Sequence, residues 1–136
     1  MPRESIAMST KEIATFIGSK KWVVLGTLNN DGSPSGDVVA SALHGNRLVF
    51  GVPSGTRASV NIERDPRVVC MTDQYPTYYE IKGVAVHGRA ERVTDTSLSE
   101  RLPKDPIRPA RTKGYAYAIL LDDVTSFDFT KIKSKL

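Results

Sequence analysis

The run Gly51-Val52-Pro53-Ser54-Gly55-Thr56-Arg57-Ala58-Ser59-Val60-Asn61 puts a small-residue loop where a strand should hand over to a helix. The helix would start with two hydroxyls and an arginine. Helix N-termini expose N–H groups that lack intrahelical partners and carry the positive end of the dipole, so they bind phosphate well. Arg57 adds a planar, permanently charged fork suited to phosphate oxygens. A capped surface helix with an exposed arginine would carry the same residues, and the pattern alone leaves both readings open.

Other chemistry is sparse. His44 and His87 are the two histidines, one in a turn and one within a strand. They read as surface or satisfied histidines rather than a metal pair. Cys70 is the single cysteine, which excludes an intrachain disulfide and a cysteine-rich metal site. In the run Val68-Val69-Cys70-Met71 it reads as a small buried hydrophobe. The chain holds no G-x-S-x-G, H-E-x-x-H, P-loop or dinucleotide fingerprint. Asp65, Asp122 and Asp123 sit at turns, where capping explains them. The residue pattern names no catalytic residue and no metal ligand.

The elements that position this chemistry follow from patterning. Ser9 with Glu12 forms a capping box, and Ile13, Phe16 and Ile17 make one apolar stripe ending at Gly18, so a helix is predicted there. Trp22 to Leu28 is β-branched and aromatic and stops at the turn Asn29-Asn30-Asp31-Gly32. Strands are predicted over about Gly36 to Leu43 and Arg47 to Val52, joined at His44-Gly45-Asn46. The helix from Thr56 to Arg64 is capped by Thr56 and stopped by Pro66. Strand four is Arg67 to Thr72. Strand five is long, roughly Thr77 to Val93, with Gly83 and Gly88 marking a bulge or bend. A short helix over Thr94 to Leu102 takes Asp95 as cap. Pro103, Pro106 and Pro109 make a loop up to Lys113, and Gly114 to Leu121 is strand six. Ser126 to Phe129 extends the pairing briefly. The predicted fold is mainly β: a six-stranded antiparallel split barrel with Greek-key character and two or three short helices.

Length and composition bound the setting. With 136 residues the chain fits one domain, residues 1–136, with a tail from about 130. No leader is visible and no apolar run approaches the ~20 residues of a membrane helix, so a cytoplasmic protein without membrane contact is expected. The net charge of +4 is spread along the chain rather than gathered into a nucleic-acid patch. A phosphate-bearing small molecule accounts for it equally well.

Taken in order, Val23 to Leu28, the Asp31-Gly32-Ser33-Pro34 turn, Arg47 to Phe50, Thr56 to Ile62, Asp65-Pro66-Arg67-Val68, Tyr79 to Gly83 and Gly88 to Glu91 resemble the pyridoxamine 5′-phosphate oxidase-like, FMN-binding split-barrel family. The resemblance covers most of the chain, from about Ile13 to Phe129. It implies FMN in a cleft between two subunits of a homodimer. Thr56 and Arg57 would hold the phosphate, with the approach shaped by Gly51, Val52 and the loop to Gly55. Gly36, Asp37, Val38 and Val39 would lie along the isoalloxazine ring, largely through backbone groups. Lys82, beside Gly83, would reach the flavin from the partner and tune its potential.

The resemblance also has gaps. The oxidase proper has an arginine near Gly36 and a lysine near Ala58 that serve the flavin, and neither side chain exists here. Its C-terminal tryptophan and arginine have no counterpart between Gly114 and Leu136, so vitamin B6 oxidation is not implied. The implied activity is flavin-dependent oxidoreduction of a small molecule with an electron donor. The alternatives are an FMN carrier, electron-transfer module or sensor, or a relative binding F420 or haem. For F420 the cations Lys104, Arg108, Arg111 and Lys113 would meet an acidic tail; for haem, His44 or His87 would be the histidine ligand.

Overall fold

The computed structural model describes residues 6–75, 80–109 and 113–133. Its elements run α1 (Thr10–Gly18), β1 (Trp22–Leu28), β2 (Pro34–His44), β3 (Arg47–Pro53), α2 (Arg57–Arg64), β4 (Arg67–Gln74), β5 (Lys82–Arg89), β6 (Glu91–Arg92), α3 (Thr96–Ser99), β7 (Gly114–Leu120), β8 (Val124–Asp128) and α4 (Thr130–Lys133). The expected start of strand five at Thr77, the Arg111 cation and the end of the tail lie outside the described residues.

Local chemistry explains the first elements. The Ser9 hydroxyl accepts the Glu12 N–H at 3.2 Å, and the Glu12 carboxylate accepts the Ser9 N–H at 3.0 Å. Phe16 and Ile17 turn inward from α1. β1, β2 and β3 form an antiparallel meander. Its first turn needs Gly32 at φ +85°, in the region that glycine enters freely. After α2 the chain returns to the far side of β1, where β4 pairs. The spatial order of these four strands is therefore 4-1-2-3, a Greek key.

One bent strand closes the barrel. The full order is β6-β7-β3-β2-β1-β4-β5-β8. β5 pairs with β4 and β8 at one end of the sheet. The chain then turns at Ala90, whose N–H donates to the Pro66 carbonyl at 2.8 Å, and the next two residues pair with β7 at the other end. The pairing breaks at Ala90 rather than at a glycine. Gly88 instead makes room: a methyl there would sit 3.3 Å from Ile119, so its absence lets β5 approach β7. β8, longer than the brief pairing expected from Ser126, seals the far side of β5.

Strand alternation sorts the side chains. Val23 and Leu25, Val39, Leu48 and Phe50, Val84 and Val86, and Ile119 meet inside, under α1 and α2. Each such side chain contributes roughly 1.5–3 kcal/mol by leaving water. This packing fixes the ends of β2 and β3 and the start of α2, where the candidate site lies.

Candidate functional site

Thr56 is the N-cap of α2. Its hydroxyl accepts the Ser59 N–H at 3.2 Å and donates to the Pro53 carbonyl at 2.7 Å. That hydroxyl therefore shapes the loop, and its proton is already committed. The Ser59 hydroxyl likewise donates to the Thr56 carbonyl at 2.7 Å. The first intrahelical bond comes from Val60 to the Thr56 carbonyl. The amides of Arg57 and Ala58 precede it and meet no helix carbonyl. Gly55 turns the loop into the helix at φ +78° with open space where a Cβ would stand.

Arg57 is exposed and forms no hydrogen bond or ion pair among the described residues. It lies within electrostatic range of Asp31 in the β1–β2 turn. The Asp31 carboxyl is held below its usual value chiefly by the Ser33 hydroxyl and amide, with a smaller pull from Arg57. The start of α2 and the start of β2 thus share one side of the molecule. The donors present are amides and a free guanidinium at a positive helix end, a set that fits a phosphate group.

Asn61 holds this helix in place. It is 3% exposed, and its amide donates to Thr27 Oγ1 and Asn29 Oδ1, both at 3.0 Å. Arg64 donates to the Leu28 carbonyl and to Asn61 Oδ1. α2 is thereby tied to β1 and to the turn that leads into β2. A polar residue on the inner side of an otherwise apolar helix face is the sequence signal for this anchor.

Two cavities flank the helix start. One, of about 530 Å³, is lined by Val52, Ser54, Gly55, Ser59, Val60, Glu63, Arg92, Tyr115 and Tyr117. The Arg92 guanidinium stacks 3.3 Å above the Tyr115 ring. The Tyr117 hydroxyl donates to Glu63 at 2.7 Å, and burial together with that carboxylate pushes its pKa up to about 12. The other cavity, of about 350 Å³, lies between the 99–109 segment and the edges of β3 and β7. Ala40, Gly51, Val52, Pro53, Lys104 and Tyr115 are on its walls. Gly51 and Val52 both line this second cavity, and Val52 lines the first as well. No sequence pattern singles out Arg92 or Tyr115.

Gly36 to Val39 occupy β2 opposite Gly26 to Val23 of β1. Gly36 is exposed, Val39 is buried in the core, and Asp37 and Val38 are half-buried. They are covered from an unexpected direction. Arg108 donates to the Asp37 carboxylate at 2.5 Å, to the Val38 carbonyl at 3.2 Å and to Asp105 at 3.1 Å. The hydrogen bond to Asp37 is the main cause that raises the Arg108 pKa.

Lys82 lies on β5, away from the start of α2. It pairs with Gln74 at the end of β4 farthest from α2, roughly 25 Å along extended strand. Its ammonium turns inward, 3.8 Å from Asp128. The neighbouring outer face of β1, β4, β5 and β8 is apolar. There Trp22 is 43% and Met71 41% exposed, beside Val24, Ala85 and Phe127. His44 is engaged by Arg101 at 3.1 Å and His87 is exposed. Among the described residues no three His, Cys, Asp or Glu side chains gather as metal ligands. No helix among them is long and apolar enough to cross a membrane.

The family model described as pyridoxamine 5′-phosphate oxidase matches residues 9–131. The chain belongs to that family. Solved structures carry the same fold. A conserved hypothetical protein of Mycobacterium tuberculosis is 26% identical, with 98% of this chain and 92% of that one covered and a TM-score of 0.79. An FAD-binding protein of Mycobacterium smegmatis is 17% identical, covering 88% and 95%, with a TM-score of 0.67. An FAD-binding protein of Mesorhizobium loti is 19% identical, covering 88% and 94%, again with a TM-score of 0.67. Comparison with curated proteins gives no match.

Proposed function

We propose that this member of the pyridoxamine 5′-phosphate oxidase family binds FMN between two copies of itself and uses it in oxidoreduction of a small molecule. One observation carries the reading. At the start of α2, first-turn amides without a helix carbonyl and an exposed Arg57 guanidinium within electrostatic range of the β1–β2 turn offer a donor set for a phosphate. The phosphate is held by Arg57 and the first-turn amides, with Thr56 setting the loop from beneath. The ring runs along Gly36 to Val39, with Gly51 and Val52 at the approach. Two structural neighbours are named for FAD binding, which supports a flavin as the ligand class.

Lys82 stands at the far end of β5 from the link between α2 and β4, which favours assigning the flavin contact to the partner subunit's Lys82, as the family resemblance implies. The apolar outer face around Trp22 and Met71 is the surface a partner would bury. Asp128 partly neutralises each lysine, which moderates its pull on the ring. When bound, the flavin supplies the electron or hydride transfer; the chain binds, orients and sets the surrounding charge. This division of labour explains a site without a triad or an acid–base pair.

The test is the visible spectrum of the purified protein, followed by anaerobic addition of NADH or NADPH. The reading predicts a flavin spectrum bleached by one of the two donors, and a dimer by light scattering. A flavin spectrum bleached by neither, with no turnover on a panel of acceptors, would make the protein a carrier. A monomer that retains flavin would remove the shared cleft.

A further inference from the structure

Asp37 is an awkward residue for the proposed ring strand. A carboxylate beside a cofactor that gains electrons raises the energy of its reduced form. The structure shows that this carboxylate is not bare. Arg108, 71 positions downstream, brings its guanidinium to 2.5 Å from Asp37 Oδ2, and both side chains are mostly shielded, at 19% and 22% exposure. The same guanidinium takes the Val38 carbonyl at 3.2 Å.

The arginine is held there by its own loop. Asp105 accepts the N–H groups of Ile107 at 2.9 Å and Arg108 at 2.7 Å, and its other oxygen takes the guanidinium at 3.1 Å. Pro103, Pro106 and Pro109 restrict the backbone around it. Three of the five guanidinium N–H groups are thereby committed to the chain itself.

We propose that Arg108 is the positioning residue of the flavin ring site: it neutralises Asp37 from across the fold and so raises the reduction potential of the bound cofactor. The proposal rests on the assignment of β2 to the flavin ring.

The test is the midpoint potential of FMN bound to the full chain, measured by anaerobic dye-linked titration. Arg108→Ala exposes the Asp37 charge. It should weaken reduced FMN about tenfold more than oxidised FMN, a shift of about 30 mV to more negative potential for a two-electron couple. Asp37→Asn should shift the potential the opposite way. The double variant should return to the wild-type value, and Arg108→Lys should retain most of it. Loss of packing alone would not give opposite signs. Equal potentials in wild type and Arg108→Ala, or shifts of one sign in both single variants, overturn the proposal while FMN binding stands. If Arg108→Ala does not fold, the sign of the Asp37→Asn shift decides alone. If wild type takes up no FMN, the functional reading fails first and the proposal falls with it.

Discussion

Replacing Arg57 with alanine should cost FMN affinity without touching the barrel. The side chain is exposed and has no hydrogen-bonded carboxylate or carbonyl partner among the described residues, so its removal frees no buried charge and takes away only a weak pull on the exposed Asp31. The loss is that of a charged hydrogen bond to phosphate, roughly 1.5–3 kcal/mol, or about 10- to 150-fold in Kd. Solvent screening places the expected value near the lower end, and the difference should shrink as salt is raised. The first-turn amides remain, so binding weakens rather than disappears. Quenching of flavin fluorescence on titration gives the affinity. Riboflavin, which lacks the phosphate, supplies the control: its affinity should be the same for both proteins. Equal losses for FMN and riboflavin would place Arg57 against the ring, and no loss for either would place the phosphate elsewhere.

Three further outcomes are expected. Asn61→Ala leaves Thr27 and Asn29 without their donor beneath α2 and should lower stability by about 1–3 kcal/mol in urea unfolding, with FMN affinity falling as the helix start loosens; an unchanged urea midpoint would mean that α2 is held by its apolar face alone. The Lys131 ammonium, then Ser9, holds the Glu12 carboxyl at about 2 instead of 4.5, and Arg67 holds Asp65 at about 2 instead of 3.8. Both folded values are depressed, so the stabilisation is complete above the unfolded values and drains away as pH falls from about 4.5 towards 2. Urea midpoints should be flat near neutrality and decline across that acid window, with a smaller decline in Glu12→Gln; a decline that starts near neutral pH would point to other groups. Burial raises the Cys70 thiol far above its ordinary value, so a thiol reagent should label it only after denaturation, and rapid labelling of the native protein would contradict its place in the core.

Legibility in the sequence follows the range of each interaction. The capping box at Ser9, the Asp31-Gly32 turn, the Thr56 cap and the stop at Pro66 are settled by residues within a few positions of one another, and each is readable. The Greek key is readable because short turns dictate antiparallel neighbours. The closure is only half visible. Glycines in strand five announce close approach, yet the turn at Ala90 depends on the Pro66 carbonyl, a contact that no local pattern encodes. Arg108 reaches Asp37 across most of the chain, and Arg92 stacks on Tyr115 from a different strand, so neither pairing can be read from spacing. Lys82 shows a third kind of gap. Its ion pair with Asp128 is set by β8, 46 positions downstream, which the residues around Lys82 do not announce. Thr56 suits a phosphate by type, and that its hydroxyl proton goes to the Pro53 carbonyl depends on the loop geometry rather than on the residue type.

The most direct test is the electron density of crystals grown with excess FMN. The account predicts the phosphorus at the α2 N-terminus, within hydrogen-bonding distance of the Arg57 guanidinium and the amides that follow Gly55, with the ring against Gly36 to Val39 and a second copy across it. Flavin bound with its phosphate away from that helix, or a helix start left bare at saturating ligand, would contradict it.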